Sequence, residues 1–94
     1  MINVAMHYVG AFSRLVGIQD EHYVLPGSAT LRDLIGAIHA RHEALAPGTF
    51  VAGDGTFSPL VVFMVQGSAC RRQDAPLGSG TEVSVMALTP TVGG

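Results

Sequence analysis

The chain has 94 residues, of which 48% are hydrophobic and 13% charged, and its formal net charge at pH 7 is −2. This length fits one domain, and high apolar content with few charges excludes a disordered chain. No basic surplus is present, so no nucleic-acid partner is expected. The longest apolar run, Leu60–Val65, is far shorter than the roughly 20 residues that cross a bilayer, so no membrane association is expected.

Two features of the chain predict a cytoplasmic location. The first residues, Met1-Ile2-Asn3-Val4, have neither the basic segment nor the apolar segment of a secretory signal peptide. Cys70 is the single cysteine, so no internal disulfide can form. Both observations favour a protein of the cytoplasm.

The first part of the chain has the pattern of two strands. Residues 2–9 alternate between apolar and polar side chains with a period of two, which predicts a half-buried strand. Residues 11–16 form a short irregular or helical stretch, and residues 22–25 a second short strand that Pro26-Gly27 ends. We expect these two strands to pair as a hairpin.

One amphipathic helix is predicted over residues 30–45. Thr30 and Asp33 have a spacing close to that of a capping box at its start. Its apolar residues fall on one face, at Leu31, Leu34, Ile35, Ile38 and Leu45. Gly36 lies within the helix at a cost of about 1 kcal/mol relative to alanine. We expect a close approach of the helix to the sheet to explain this glycine.

The second half of the chain predicts three further strands. Residues 47–59 read as a loop. The unbroken apolar run 60–65 suits a strand that is covered on both sides or lies at the middle of the sheet, where we expect it beside the first strand. Residues 69–72 read as a short edge strand, and residues 82–88 alternate again before Pro90. One main helix across one face of a mixed four- to five-stranded sheet is the α+β arrangement called the β-grasp.

The chain ends in Gly93-Gly94 shortly after the last predicted strand. Glycine has no Cβ, so such a tail can lie extended in a channel too narrow for other residues. With 12 glycines in 94 residues, a pair at a given position arises by chance in roughly 1–2% of shuffled sequences. We assign residues 1–90 to the β-grasp domain and residues 91–94 to a flexible C-terminal tail.

Motifs along nearly the whole chain resemble those of one known family. They are Val9-Gly10-Ala11-Phe12-Ser13-Arg14, Ala29-Thr30-Leu31-x-x-Leu34-Ile35, Val65-Gln66-Gly67, Leu77-x-x-Gly80-Thr81-Glu82-Val83 and Thr89-Pro90-Thr91-Val92-Gly93-Gly94. In this order the chain resembles the small sulfur-carrier proteins typified by the molybdopterin synthase small subunit and the thiamine-pathway sulfur carrier. Those proteins share the ubiquitin-like β-grasp fold.

The resemblance implies a carrier that is not catalytic alone. An adenylyltransferase related to ubiquitin-activating enzymes would use MgATP to join Gly94 to AMP, and a sulfur donor would then replace AMP and leave a thiocarboxylate. Gly93, Val92 and Thr91 would enter the partner's channel as an extended strand. The chain itself would bind no cofactor, and the sulfur would pass to an enzyme such as the molybdopterin synthase large subunit.

Length and the Gly10–Arg14 segment favour the molybdopterin branch of this family. A carrier for thiamine, cysteine or another sulfur metabolite stays open. So do a ubiquitin-like protein modifier conjugated through Gly94 and a plain interaction module with an inert tail. All five basic residues are arginine, so a modifier of this sequence could not form chains through lysine side chains of its own.

The partner interface is predicted on the sheet face that the helix leaves open, because exposed apolar patches often mark such surfaces. The residues assigned to it are Phe63, Val65, Met86 and Leu88, with Arg71 and Arg72 as a contact for an acidic partner surface.

Two other groups resemble reactive sites only weakly. His39 and Glu43 have the i, i+4 spacing of metal-binding pairs, but no third ligand is evident, and a solvated helix face that includes His42 is favoured. Cys70 has no assignable activating groups and is expected to be a small apolar residue. We therefore predict no metal site and no cysteine nucleophile.

Overall fold

The computed structural model describes residues 1–87. Five strands and two helices lie within them: β1 (Ile2–Tyr8), α1 (Ala11–Val16), β2 (Asp20–Leu25), α2 (Leu31–Arg41), β3 (Val61–Val65), β4 (Ser68–Cys70) and β5 (Thr81–Ala87). The strands form one mixed sheet in the order β2-β1-β5-β3-β4, which confirms the predicted α+β class. No helix of these residues is long and apolar enough to cross a membrane.

β5 occupies the centre of the sheet. It runs parallel to β1, with Met6 opposite Val83, and antiparallel to β3, with Val61 opposite Ala87. The prediction that the apolar run of β3 lies beside the first strand is therefore wrong. An unbroken apolar run marks a strand that is apolar on both faces, and it does not by itself identify a central position.

The predicted hairpin and the helix cap are confirmed. β1 and β2 pair antiparallel from Ile2 opposite Leu25 to His7 opposite Asp20. At the start of α2 the Asp33 backbone N–H donates to the Thr30 hydroxyl at 3.4 Å, while the Thr30 N–H donates to the Asp33 carboxylate at 2.8 Å. This reciprocal capping box satisfies two of the backbone donors that a helix start leaves free.

α2 is shorter than predicted but buries the predicted face. It ends at Arg41, and Leu45 reaches the core from the segment that follows, where its N–H donates to the His42 carbonyl at 3.0 Å. Gly36 lies on the exposed side, and a Cβ added there would meet nothing within 4 Å. The expected close approach to the sheet is therefore wrong, because Gly36 faces away from it.

The loop of residues 42–60 completes the core beyond the end of α2. Phe50 is fully buried, and its ring centroid lies 5.3 Å from that of Phe12 and 5.5 Å from that of Phe63. Phe57 also packs against Phe63, with ring centroids 5.5 Å apart. A segment that reads as a loop thus contributes aromatic side chains that dominate the packing at this end of the sheet.

A largely buried carboxylate ties α2 to the β1–β2 hairpin. Glu21 accepts hydrogen bonds from the Tyr8 hydroxyl at 2.7 Å and the Tyr23 hydroxyl at 3.0 Å. The His42 Nε2 lies 2.7 Å from the same carboxylate, and Arg41 lies 3.6 Å from it. The Arg41 guanidinium also stacks 4.0 Å from the centre of the Tyr23 ring. The partners come from β1, from β2 and from the C-terminal end of α2, so the cluster fixes how these elements meet.

The cluster keeps Glu21 ionised. Burial alone would raise the pKa of this carboxyl, but hydrogen bonds from Tyr8, His42 and Tyr23 outweigh it and lower the pKa below its ordinary value. Burial and the neighbouring groups raise the pKa of Tyr8, so its hydroxyl remains a donor.

Candidate functional site

The predicted reactive tail lies outside the described residues. The positions concerned are Leu88, Thr91, Val92, Gly93 and Gly94, together with the predicted domain boundary after residue 90. Ala87 is the last residue of the central strand β5 and pairs with Val61 of β3.

The predicted interface residues fall on two different faces of the sheet. Phe63 pairs with Val85 and Val65 with Val83, and these side chains point towards the helix and the loop. Phe63 is only 1% exposed and therefore belongs to the core. Met86 lies on the opposite face. Grouping Phe63 and Val65 with Met86 is wrong, since the unbroken apolar run of β3 gives no alternation from which to choose a face.

The apolar part of the open face comes from other residues than those predicted. Val62 pairs with Met86, and Met64 pairs with both Ser84 and Ala69. We call Val62, Met64, Ala69 and Met86 the open-face patch; all four are half-buried or exposed. The patch lies next to the end of β5, from which the chain continues towards Gly94. Exposed apolar patches of this kind often mark surfaces that bind a partner.

The part of the open face around His7 is polar. The His7 imidazole bridges two strands, with Nδ1 hydrogen-bonded to Asp20 and Nε2 3.2 Å from Glu82. The hydrogen bond to Asp20 and the weaker one to Glu82 raise the pKa of His7 against the opposing effect of burial. A shallow depression lies beside it, lined by His7, Glu82, Ser84, Gln66 and Gly67.

The two predicted docking arginines differ in their surroundings. Arg72 is paired with Asp74, its Nε and Nη2 lying 3.2 and 3.3 Å from the carboxylate oxygens. This pairing raises the pKa of Arg72 and lowers the pKa of Asp74. Arg71 is exposed and makes no ion pair with any of residues 1–87. Of these two arginines, Arg71 is therefore the one whose charge is not already paired within residues 1–87.

A small cavity, which we call the notch, lies at the edge of the sheet beside Arg71. It has a volume of about 150 Å³ and is lined by Phe57, Val61, Val62, Ala69, Cys70 and Arg71. Cys70 is half-buried, and its thiol donates to the Arg72 carbonyl at 3.5 Å. The notch shares Val62 and Ala69 with the open-face patch.

The histidines of α2 and its C-terminus contact neighbouring side chains. His39 packs edge-on against Phe50 with ring centroids 5.4 Å apart, and His42 bonds Glu21. The predicted solvated face is therefore wrong for these two residues, because the loop and the hairpin cover them. Among residues 1–87, no group of three or more His, Cys, Asp or Glu side chains could hold a metal ion.

Sequence reasoning missed the contributions of Val62, Met64, Ala69 and the loop. The sequence contained one signal for the pairing of β3 with β4. It is Gln66-Gly67, a two-residue turn in which both residues adopt positive φ, at 52° and 80°, and which fixes the register of the two strands. This turn does not indicate which face of the sheet the helix covers.

The fold and the tail sequence define a class of ubiquitin-like β-grasp proteins that includes sulfur carriers. The ThiS family model matches residues 6–94, and the chain belongs to the ThiS family. No curated protein matches the chain by sequence.

Solved structures agree with this assignment. A putative molybdopterin converting factor subunit 1 from Pyrococcus furiosus is 30% identical, with a TM-score of 0.76 over 95% of this chain and 100% of that one. SAMP1 from Haloferax volcanii is 21% identical, with a TM-score of 0.81 over 98% and 99%. Subunits 1 and 2 of the Helicobacter pylori molybdopterin-converting factor were solved as a complex; the match there is 17% identical, with a TM-score of 0.59 over 99% and 100%.

Proposed function

We propose that this chain is a cytoplasmic sulfur carrier of molybdopterin biosynthesis, whose Gly94 is adenylated and then converted to a thiocarboxylate. The observation that carries the proposal is the family match, which extends through residue 94 and so includes Gly93-Gly94. The molybdopterin branch is supported by 30% identity to the Pyrococcus furiosus subunit over 95% of this chain.

The chemistry follows from the carboxylate of Gly94. A partner adenylyltransferase holding MgATP would join this carboxylate to AMP with release of pyrophosphate. The resulting mixed anhydride has a good leaving group, so a sulfide equivalent from a donor can replace AMP and form the thiocarboxylate. The chain needs no acid, base or metal of its own for these steps, because the partner supplies them. Its own contributions are a slim tail and a docking surface.

The described residues support the docking role. The tail continues from Ala87 at the end of the central strand, and the half-buried Met86 and Val62 of the open-face patch lie next to that point. In the Helicobacter pylori structure, subunit 1 of the converting factor is bound to subunit 2. We propose an equivalent large-subunit partner here, which would accept sulfur from Gly94 while contacting the patch.

The proposal is tested by incubating the chain with its adenylyltransferase, MgATP and a sulfur donor and measuring its mass. We expect an increase equal to the replacement of one oxygen by sulfur, located at the C-terminus. A chain that lacks Gly93 and Gly94 is the matched control and should remain unchanged. The activating enzyme is first shown to be competent on a carrier that it is known to modify. If the mass of the full chain then does not change, the proposal is contradicted.

The docking role has a separate test. Met86→Asp should weaken binding of the large subunit while the free domain remains folded, because Met86 lies on the open face and is only half-buried. If the substitution unfolds the domain, Met86 belongs to the core and the surface is assigned wrongly.

A ubiquitin-like modifier would use the same adenylate but end in an amide bond to a lysine of another protein. SAMP1 is a small archaeal modifier protein by name, and its likeness to this chain is one of fold. A Gly94–lysine linkage on other proteins in cell extracts, without thiocarboxylate formation, would favour this alternative.

A further inference from the structure

The notch exists because β4 is shorter than β3. β3 begins at Val61, whereas β4 ends at Cys70, which lies opposite Phe63. The first residues of β3 therefore have no strand beside them on that side. Phe57 from the 42–60 loop forms one wall of the gap and packs 5.5 Å from the buried Phe63 ring. The wall is thus fixed by the core, and the cavity is preformed.

The size of the notch limits what it can bind. A volume of about 150 Å³ lies below the roughly 300–1,000 Å³ of sites that enclose a drug-sized ligand. It is sufficient for one apolar side chain. The walls of Phe57, Val61, Val62 and Ala69 would remove such a side chain from water, in the way that interface anchors fill pockets on a partner.

The positive charge of Arg71 at the rim of the notch indicates which residue should stand next to the bound apolar side chain. Arg71 lines the notch and makes no ion pair with any of residues 1–87, while the adjacent Arg72 already pairs with Asp74. An arginine guanidinium presents a fork of donors that matches a carboxylate. An acidic residue next to the apolar anchor would complement Arg71, whereas a basic residue there would be repelled.

We propose that the notch is a docking pocket for a partner protein segment in which an apolar side chain stands next to an acidic residue. The inference rests on the proposed function in one respect: the partner is the one that receives the tail. Val61 pairs with Ala87, and Val62 with Met86, so the notch lies one strand away from the start of the tail. A segment seated there would hold its protein beside Gly94.

The test is a selection from a random peptide library displayed on phage, using the full chain as the target. Ala69→Trp places a large side chain at the notch from an exposed edge-strand position and serves for counter-selection. Ser68→Trp is the matched control, since Ser68 is also exposed but its side chain points to the other face of β4. We expect peptides that bind the wild type and Ser68→Trp, lose binding to Ala69→Trp, and carry an apolar residue beside Asp or Glu.

The charge requirement is tested with a synthetic copy of the most enriched peptide. Arg71→Glu should weaken its binding about tenfold, because an attraction becomes a repulsion of similar size. Arg32→Glu is the control, since Arg32 is an exposed arginine in the first turn of α2, where an acidic residue is tolerated. Equal losses in both variants would mean that only the net charge matters, and would overturn the role of Arg71.

Cys70 reports occupancy of the notch because it is the single thiol of the chain and lines the cavity. Bound peptide should slow its alkylation by iodoacetamide, and amide chemical-shift changes should centre on Val61, Ala69 and Arg71. Circular dichroism and unfolding midpoints establish that each variant is folded, and Ala69→Leu provides a milder filling substitution if Ala69→Trp is not.

Other results would overturn the proposal. Faster alkylation of Cys70 after removal of residues 88–94 would show that the chain's own tail fills the notch, and a rate that falls with protein concentration would show that a second copy does. Enriched peptides that are basic, or that bind Ala69→Trp equally well, would exclude the stated partner chemistry, as would no enrichment. The peptide selection involves no sulfur chemistry, so a negative selection does not affect the mass test of Gly94. A negative mass test would leave the pocket in place but would remove the reason to assign it to the partner that receives the tail.

Discussion

The two faces of the sheet are built from the same strands but have different roles. On the covered face, Val4, Val83 and Phe63 are at most 1% exposed. On the other face, the neighbouring residues Val62 and Met86 are half-buried. Within residues 1–87, no helix covers this face in the way that α2 covers the first one. Apolar side chains stabilise the fold where they are covered. Where they are not, they are available to a partner.

Each face also carries a histidine that pairs with a carboxylate, but the two sites differ in their exposure to solvent. Glu21 and His42 are 9% and 19% exposed, whereas His7, Asp20 and Glu82 are 33%, 69% and 66% exposed. Burial raises the cost of leaving either member of a pair without its partner. Solvent screens exposed pairs, which usually contribute less than about 1 kcal/mol. A histidine–carboxylate pair on the covered face therefore contributes more to stability than one on the open face.

Truncation of a covered side chain should have the largest effect. Phe63→Ala should lower the free energy of unfolding by about 3–5 kcal/mol, because it removes buried area and leaves a cavity among Phe50 and Phe57. Met64→Ala, one residue along the same strand but on the open face, should cost less than about 1 kcal/mol. Guanidinium denaturation monitored by circular dichroism measures both.

A domain of this size has a total stability of about 5–10 kcal/mol, so Phe63→Ala could be largely unfolded. Phe63→Leu keeps most of the volume and should remain measurable, with a loss of about 1.5 kcal/mol. A loss of about 2–5 kcal/mol for Met64→Ala, the range for truncation of a buried methionine, would show that this face is covered too, and would remove the basis for a docking surface.

Disruption of the buried carboxylate should come next. Glu21→Gln should cost about 1–3 kcal/mol at neutral pH, because the amide leaves a donor facing Tyr8, Tyr23 and His42. Since the pKa of Glu21 is lowered in the fold, its contribution is present above the ordinary value of 4.5 and is lost as pH falls through the lower folded value. The variant should therefore lose stability less steeply on acidification than the wild type does.

Urea denaturation between neutral pH and pH 3 measures this slope. Glu43→Gln is the matched control, because Glu43 is exposed and close to His42 in sequence. A parallel pH dependence for the wild type and Glu21→Gln would mean that the cluster does not hold the carboxylate ionised.

The outer side of α2 offers a smaller, stabilising change. Gly36→Ala should raise stability by up to about 1 kcal/mol, because alanine is the better helix former and its Cβ meets nothing within 4 Å. Gly80→Ala is the contrasting control: Gly80 has φ of 81°, so alanine there should destabilise by about 1 kcal/mol. Thermal unfolding of both variants measures the difference. A destabilised Gly36→Ala would revive the idea that this glycine is needed for a close contact.

Local patterns predicted what depends on local physics. The capping box of Thr30 and Asp33 and the inward face of α2 could be read directly, because caps and helix periodicity act over a few residues. The facing of β3 could not, since Val61–Val65 is apolar at every position and its facing depends on distant strands. The role of Phe50 was hidden for the same reason, because nothing near it in sequence indicates that the end of α2 leaves a gap.

The smallest effect on stability should come from His7 and its carboxylate partners on the open face. The pKa of His7 also reports how exposed that face is. Because Asp20 and Glu82 raise the pKa of His7, the contribution of the cluster is fully present below the ordinary value of 6.5 and is lost as pH rises through the raised folded value. His7→Gln should therefore cost less than about 1 kcal/mol at pH 6 and almost nothing at pH 9. NMR titration of the His7 ring should give a pKa above 6.5 that falls in Asp20→Asn and falls less in Glu82→Gln. Added salt should lower this pKa only in part, because salt screens the coulombic attraction of the exposed carboxylates but not the direct hydrogen bond to Asp20. A His7 pKa that does not change at all with salt would mean that ions do not reach the cluster, and that the open face is covered in solution.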